Sequence, residues 1–196
     1  MDPESITPVR GIAALDRLAE RLTGATELRL AVADSPAELI AVHRLRYRDV
    51  TERGLAQPAE HADGLERDAY DSRALQICAW DGDVLAGTVR LVLPVPGRRL
   101  PTEEAFDLTV EPAGEVVDLG RVLVSPRLGA DAAQRAWGAL FAQAWFETRA
   151  RGYSGMTSAA SAQRIERFGA LGVGFDILGP ARPEGDLYPV RLVAAM

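Results

Sequence analysis

The stretch Val117-Asp118-Leu119-Gly120-Arg121-Val122-Leu123-Val124-Ser125-Pro126-Arg127-Leu128-Gly129-Ala130-Asp131-Ala132 decides how the chain folds. Its Val- and Leu-rich first part predicts a strand over residues 115–125, which Pro126 stops because proline cannot donate to a ladder. A short loop leads into a helix expected over residues 132–151. Asp131 is its expected N-cap, with Gln134 three residues on. Arg149 and Arg151 lie in its last turn, and Gly152 follows, as helix ends favour. Trp137, Phe141 and Trp145 recur at every fourth position, the spacing of a buried stripe.

Upstream, residues 7–23 place Ile12, Leu15, Leu18, Ala19 and Leu22 at helical spacing, which Gly24 ends. A short strand is expected over 28–33. Ser35-Pro36-Ala37-Glu38 then reads as a capping box with proline at the first helical position, opening a helix that runs toward Gly54. Residues 55–73 are polar and acidic with no clear period. Strands over 74–80 and 84–93 flank the hairpin signal Asp81-Gly82. A helical turn is expected near 103–106. Downstream come a strand over 153–159, a helix over 162–171 and strands around 174–178 and 187–194. This order predicts an α+β sheet with helices on both faces, preceded by an N-terminal helical extension (1–27 before a domain of 28–196).

The 196 residues suit one core. Hydrophobic content of 47% and charged content of 26% are those of a globular protein. A net charge of -6 argues against a general DNA-binding surface. The lone Cys78 excludes an internal disulfide, and with only His43 and His61 no His-rich metal site is expected, so no bound metal is expected. No apolar run is long enough to span a membrane, and the first residues lack a secretory signal's apolar core, so the expected location is cytoplasmic.

The order β-β-β-α-β-α-β, with a loop turning from the fourth strand into a long helix, resembles the GNAT N-acetyltransferase fold. The resemblance covers roughly residues 28–194 and continues into Arg164-Ile165-Glu166-Arg167-Phe168-Gly169-Ala170-Leu171-Gly172. It implies a central mixed, twisted sheet with helices on both faces. It also implies an acyl donor whose pantetheine arm pairs with the fourth strand, through Val122 and Val124. Arg127, Gly129, Ala130 and Ala132 would then meet the phosphates. The family's Arg/Gln-x-x-Gly-x-Gly/Ala loop is altered here to Arg127-Leu128-Gly129-Ala130-Asp131-Ala132. Alanine stands where glycine allows close approach, and an Asp131 cap would occupy N–H groups that a diphosphate needs. This favours acyl carrier protein, with its single phosphate, over acyl-CoA as donor. The other reading makes Asp131 merely an N-cap in a loop shifted by one residue.

A closer resemblance lies in Arg46-Tyr47-Arg48-Asp49-Val50, Glu66-Arg67-Asp68-Ala69-Tyr70-Asp71, Gly87-Thr88-Val89-Arg90-Leu91, Leu100-Pro101-Thr102-Glu103 and Asp118-Leu119-Gly120-Arg121. In order and spacing these are similar to the motifs of acyl-homoserine-lactone synthases and N-acyl amino acid synthases. The resemblance implies that Arg46, Asp68, Asp71 and Arg90 bind substrate, or form a buried network. It makes Asp118 and Arg121 catalytic. Asp118 replaces the family's glutamate and Gly120 its serine. A carboxylate there can accept the amine's proton, directly or through water, and the Val122 N–H can stabilise the thioester oxyanion. Asp118 and Arg121 share a face only if the strand bulges, which Gly120 permits. Phe168 stands where many GNAT enzymes have a tyrosine acid, leaving Tyr153, Tyr47, water or an unprotonated thiolate for that step. Cys78 is expected in the core.

These residues together imply an N-acyltransferase for the amine of a small molecule. It would need no permanently bound cofactor, with acyl-phosphopantetheine or acyl-CoA as co-substrate and acyl carrier protein as partner. A homodimer is compatible with the sequence. The alternative is a catalytically silent GNAT-like binding module.

Overall fold

The computed structural model describes residues 11–170, 172–182 and 186–193. Its elements are α1 (Ile12–Gly24), β1 (Arg29–Val32), α2 (Pro36–Glu52), β2 (Ala74–Asp81), β3 (Val84–Val92), α3 (Pro101–Phe106), β4 (Val116–Val124), α4 (Ala130–Ala150), β5 (Gly155–Ser161), α5 (Ala162–Ala170), β6 (Asp176–Ile177) and β7 (Leu187–Val193). The strands form one sheet in the order β1-β2-β3-β4-β5-β7-β6. Every pairing is antiparallel except β4 with β5, which α4 connects as a crossover. The mixed sheet with helices on both faces is the architecture expected. Among the described residues no helix is long and apolar enough to cross a membrane.

Strand alternation sorts the side chains onto two unlike faces. Ile77, Val89, Leu91, Val117 and Leu119 point to one face, where Trp137, Leu140, Phe141 and Trp145 of α4 cover them. The aromatic stripe is therefore core, as its spacing predicts. Leu15, Leu18 and Ala19 of α1 join the same cluster, and Trp145 donates its indole N–H to Asp16 at 2.7 Å. Cys78, Thr88, Arg90 and Asp118 alternate with these residues and point to the other face, toward α2. Burial pushes the Cys78 thiol up to about 12, so it is inert packing.

The structure alters several expectations. The capping box of α2 is half formed. Ser35 accepts from the Glu38 N–H, but the Glu38 carboxylate reaches Asp34 rather than the cap itself. The polar 55–73 segment holds two 3-10 turns, Pro58–His61 and Ala69–Arg73. The strand expected over 174–178 shortens to two residues. Asp131 is not the N-cap of α4. Gly129 holds that position with no side-chain cap, and Asp131 falls in the first turn. Residues 7–10 of the first expected helix, Leu171 and Ala194 lie outside the described residues.

Gly155 shows how tightly the sheet closes at the base of β5. A Cβ there would lie 2.7 Å from the Leu192 carbonyl oxygen, whereas one at Gly169 would meet nothing within 4 Å. Gly155→Ala is expected to cost about 1–3 kcal/mol, read as a lower urea midpoint at unchanged slope. Gly169→Ala should leave the midpoint unchanged or raise it, since alanine favours the helix.

Candidate active site

Strand β4 makes the site by pairing irregularly on both sides. Toward β5 its ladder runs only from Val116 to Asp118, opposite Gly155 to Thr157. Beyond Asp118 the strands part, and β5 continues along β7 up to Ser161. Toward β3, Gly120 lies opposite Arg90 and Leu123 opposite Thr88, so β4 carries one extra residue. This is the bulge that the Asp118–Arg121 spacing called for. Its left-handed residue is Arg121, at φ 52, rather than Gly120. A non-glycine side chain in that region is held against its preference, a cost the surrounding contacts must offset. The register pairs Val122 with neither neighbour.

The bulge aims Arg121 at a network of three arginines and three carboxylates. Arg46 is fully buried at 0% exposure. Its Nε meets Glu66, and its two terminal nitrogens form a fork on Asp71 at 2.8 and 3.1 Å. Arg90 donates to Asp68 at 2.7 Å and to Asp71 at 3.1 Å. Arg121 donates to Glu66 at 2.8 Å and to Asp68 at 3.3 Å. Asp71 also accepts from Gln76 and from the backbone N–H of Asp68. Burial alone would raise the Glu66 and Asp71 carboxyls. Arg46, with Arg121 for Glu66 and Arg90 for Asp71, outweighs it and holds both below the usual range.

The structure therefore brings Arg46, Asp68, Asp71, Arg90 and Arg121 together and adds Glu66, which the motif string contained without assigning it a role. The two most exposed side chains of the network are Asp68 at 30% and Arg121 at 39%. His43 pins the same segment to α2, donating from Nδ1 to the Glu66 carbonyl at 3.0 Å, while Glu66 returns its N–H to the His43 carbonyl.

Asp118 sits beside this network without pairing with Arg121. It occupies the last β4 position paired with β5, at the apex of the divergence, and is 3% exposed. Its Oδ2 accepts the Thr102 backbone N–H at 2.7 Å, which gives the Leu100-Pro101-Thr102-Glu103 motif a structural role. Burial raises Asp118 to about 6, although the Thr102 bond and Arg90 oppose the rise. Two polar atoms on its immediate neighbours, Arg90 Nε and Thr102 Oγ1, are buried without a hydrogen-bond partner among the described residues.

Beyond the apex, a cleft of about 250 Å³ lies along β4, bordered by α2, α4 and α5. Val122 and Val124 line it from β4, and Trp137 from α4. The loop that leads from β4 to α4 places Arg127, Gly129, Ala130 and Ala132 in sequence at the helix start. Among the described residues no side chain caps this helix, so its first-turn N–H groups lack a side-chain acceptor, and the Asp131 carboxylate stands in the same turn. Phe168 is 3% exposed and packs on Trp137, Phe141 and Phe175, so it belongs to the core. Tyr153 lies below the base of β5, packed against the main core.

The model of the acetyltransferase (GNAT) domain family matches residues 45–137. Among curated proteins none matches the chain in sequence. Among solved structures, the AHL synthase LasI superposes with a TM-score of 0.67 at 16% identity, covering 87% of this chain and 91% of its own. A CoA-dependent acyl-homoserine lactone synthase, MesI, gives 0.66 at 23% identity, with 85% and 89% covered. FeeM, an N-acyl amino acid synthase from uncultured soil microbes, gives 0.61 at 14% identity, with 86% and 91% covered.

The buried network yields a stability prediction. Asp71→Asn leaves Arg46 and Arg90 undercompensated and is expected to cost on the order of 3–5 kcal/mol in chemical denaturation. Asp63→Asn, which breaks only the exposed pair with Arg67, should cost under about 1 kcal/mol. Glu66 and Asp71 are lowered on folding, so their contribution is complete above the ordinary values of 4.5 and 3.8 and is lost as pH falls through the folded ones. Acidification below about pH 4 should therefore destabilise the wild type more than Asp71→Asn. Matched pattern and matched architecture agree: the chain has the GNAT fold, and within it residues 45–137 match the model of the acetyltransferase (GNAT) domain family.

Proposed function

We propose that the chain is an N-acyltransferase that moves an acyl group from a phosphopantetheine thioester to the amine of a small molecule, with acyl carrier protein favoured over acyl-CoA as donor. The observation that carries this reading is the β4 edge, which is free of β5 beyond Asp118 and bulged at Arg121. A free strand edge offers alternating N–H and C=O groups, which an amide-containing arm can pair with as an added strand. Val122, outside both ladders, supplies an N–H where the thioester oxygen develops charge. Asp118, at the apex, is the base that takes the amine's proton, directly or through a water bridging it to Arg90 Nε and Thr102 Oγ1. Asp68 and Arg121 meet the acceptor from the exposed side. Arg46, Asp71, Arg90 and Glu66 hold them in place.

The reaction balances without a covalent enzyme intermediate. The amine nitrogen attacks the thioester carbon, the C–S bond breaks, Asp118 accepts the amine proton, and pantetheine leaves as thiol or thiolate. Thiols are acidic enough to leave near neutral pH without a dedicated acid, which suits a site with Phe168 in the tyrosine position. The preference for a carrier-borne arm rests on the loop. Ala130 restricts backbone approach, and the Asp131 carboxylate in the first turn repels a diphosphate more than a single phosphate.

Incubation with acyl-loaded carrier proteins, acyl-CoAs and a pooled amine library, followed by intact-mass analysis, tests the donor. The expected result is amine-dependent loss of acyl from a carrier. Transfer from CoA alone would overturn the donor preference, and binding without transfer from any donor would point to a silent module. The rate should rise with pH through about 6 as Asp118 ionises. Asp118→Asn should remove that limb and lower the rate by about 10²-fold or more. An unchanged limb would show that Asp118 is not the base.

A further inference from the structure

The cleft along the outer part of β4 carries more positive charge than its own carboxylate can balance. Arg53 at the C-terminal end of α2 and Arg164 and Arg167 of α5 line it together with one carboxylate, Asp49. Asp49 is bound to Arg53 at 3.3 Å. Arg167 lies over the Trp137 ring at 5.3 Å. Arg164 has no ion pair among the described residues, and burial followed by repulsion from Arg53 lowers its pKa. A chain of net charge -6 thus gathers two excess positive charges in the cleft that β4 opens. These arginines come from helices that pack on opposite faces of the sheet, α2 over Cys78 and α5 over Trp137, and they line the same cleft beside β4.

An unpaired, partly buried guanidinium beside another cation is costly unless a ligand completes it. The arm of the proposed donor is neutral along its amides and charged at its phosphate. From Val122 to Ser125 the strand advances three residues, roughly 10 Å of extended chain, before a turn closed by the Leu128 N–H on the Ser125 carbonyl. With the thioester at Val122, an extended arm brings its phosphate toward the mouth of the cleft. Guanidinium groups match phosphate oxygens by paired N–H donation.

We propose that Arg164, with Arg53 and Arg167, forms the subsite that holds the phosphate of the donor's pantetheine arm, in addition to the N–H groups at the start of α4. The proposal rests on the donor reading above. It gives the chain a way to grip a single phosphate despite Ala130 and Asp131 in the loop. Arg164 is a positioning residue: it anchors the arm and touches no reacting atom.

Binding of pantetheine, 4′-phosphopantetheine and CoA to the full chain, measured by calorimetry, tests it. Phosphopantetheine should bind the wild type at least about tenfold more tightly than pantetheine, as charge-assisted bonds predict. Arg164→Gln should remove most of that difference while leaving pantetheine affinity and melting temperature unchanged, and Arg164→Lys should restore part of it. CoA binding no tighter than phosphopantetheine would assign the phosphate to a carrier-borne arm, and tighter CoA binding would assign it to CoA. Equal binding of pantetheine and phosphopantetheine to the wild type would overturn the subsite but leave the donor reading standing. An unchanged preference in both Arg164→Gln and Arg53→Gln would overturn it too. If none of the three ligands binds, the donor reading fails and the subsite with it.

Discussion

The carboxylate of Asp71 ties together parts of the chain that have little else to join them. It takes the Arg46 fork from α2, Arg90 from β3, Gln76 from β2 and the N–H of Asp68 from its own turn. The 55–73 segment is polar and has few apolar side chains to anchor it. Its position comes from this ion-pair network and from the reciprocal bonds between His43 and Glu66. That position puts Glu66 and Asp68 in front of the β4 bulge, where they receive Arg121. A buried charge network of this kind contributes little net stability compared with an apolar core, but breaking one partner is costly. It fixes one arrangement of the loop over one face of the sheet.

The two faces of the sheet divide the tasks. The α4 face is apolar and continuous, and it sets the twist and spacing of the strands. The α2 face holds the titratable groups. Strand β4 serves both, since Val117 and Leu119 belong to the core and Asp118 to the polar side. The break in its pairing with β5 falls directly after Asp118. A buried carboxylate raised to about 6 thus stands at the point where the sheet opens. Burial and opening have one cause: the strands are still paired at Asp118 and no longer paired one residue later.

Much of the fold was readable from local chemistry. The aromatic stripe of α4, the hairpin at Asp81-Gly82 and the proline stop at Pro126 each follow from rules acting over a few residues. The requirement for a bulge between Asp118 and Arg121 was readable as well, because two functional side chains three apart cannot share a face of a regular strand. Its placement was not. Glycine is the residue expected to turn left-handed, yet Arg121 does so, held by Glu66 and Asp68 from a distant segment. Asp131 misled for a related reason. It is the best capping side chain in its stretch, but the loop's path gives the cap to Gly129, and the helix starts at Ala130. Glu66 stands with Asp63, Asp68 and Asp71 in an acidic run whose spacing matches no calcium loop, and nothing local marks it as the partner of Arg46 and Arg121. The arginines of the cleft are spread over α2 and α5 and have no pattern in sequence, so only the meeting of those helices across the opened sheet reveals them.

The proposed function requires that the opened edge of β4 receive the donor arm. A crystal structure with a non-hydrolysable acyl-phosphopantetheine tests it most directly. The arm should lie between β4 and α5 as an added strand, its amides paired with the backbone beyond Asp118 and its acyl carbonyl within hydrogen-bonding distance of the Val122 N–H. An arm bound outside this cleft, or one that leaves the β4 edge unpaired, would rule out β4 as the donor's docking edge.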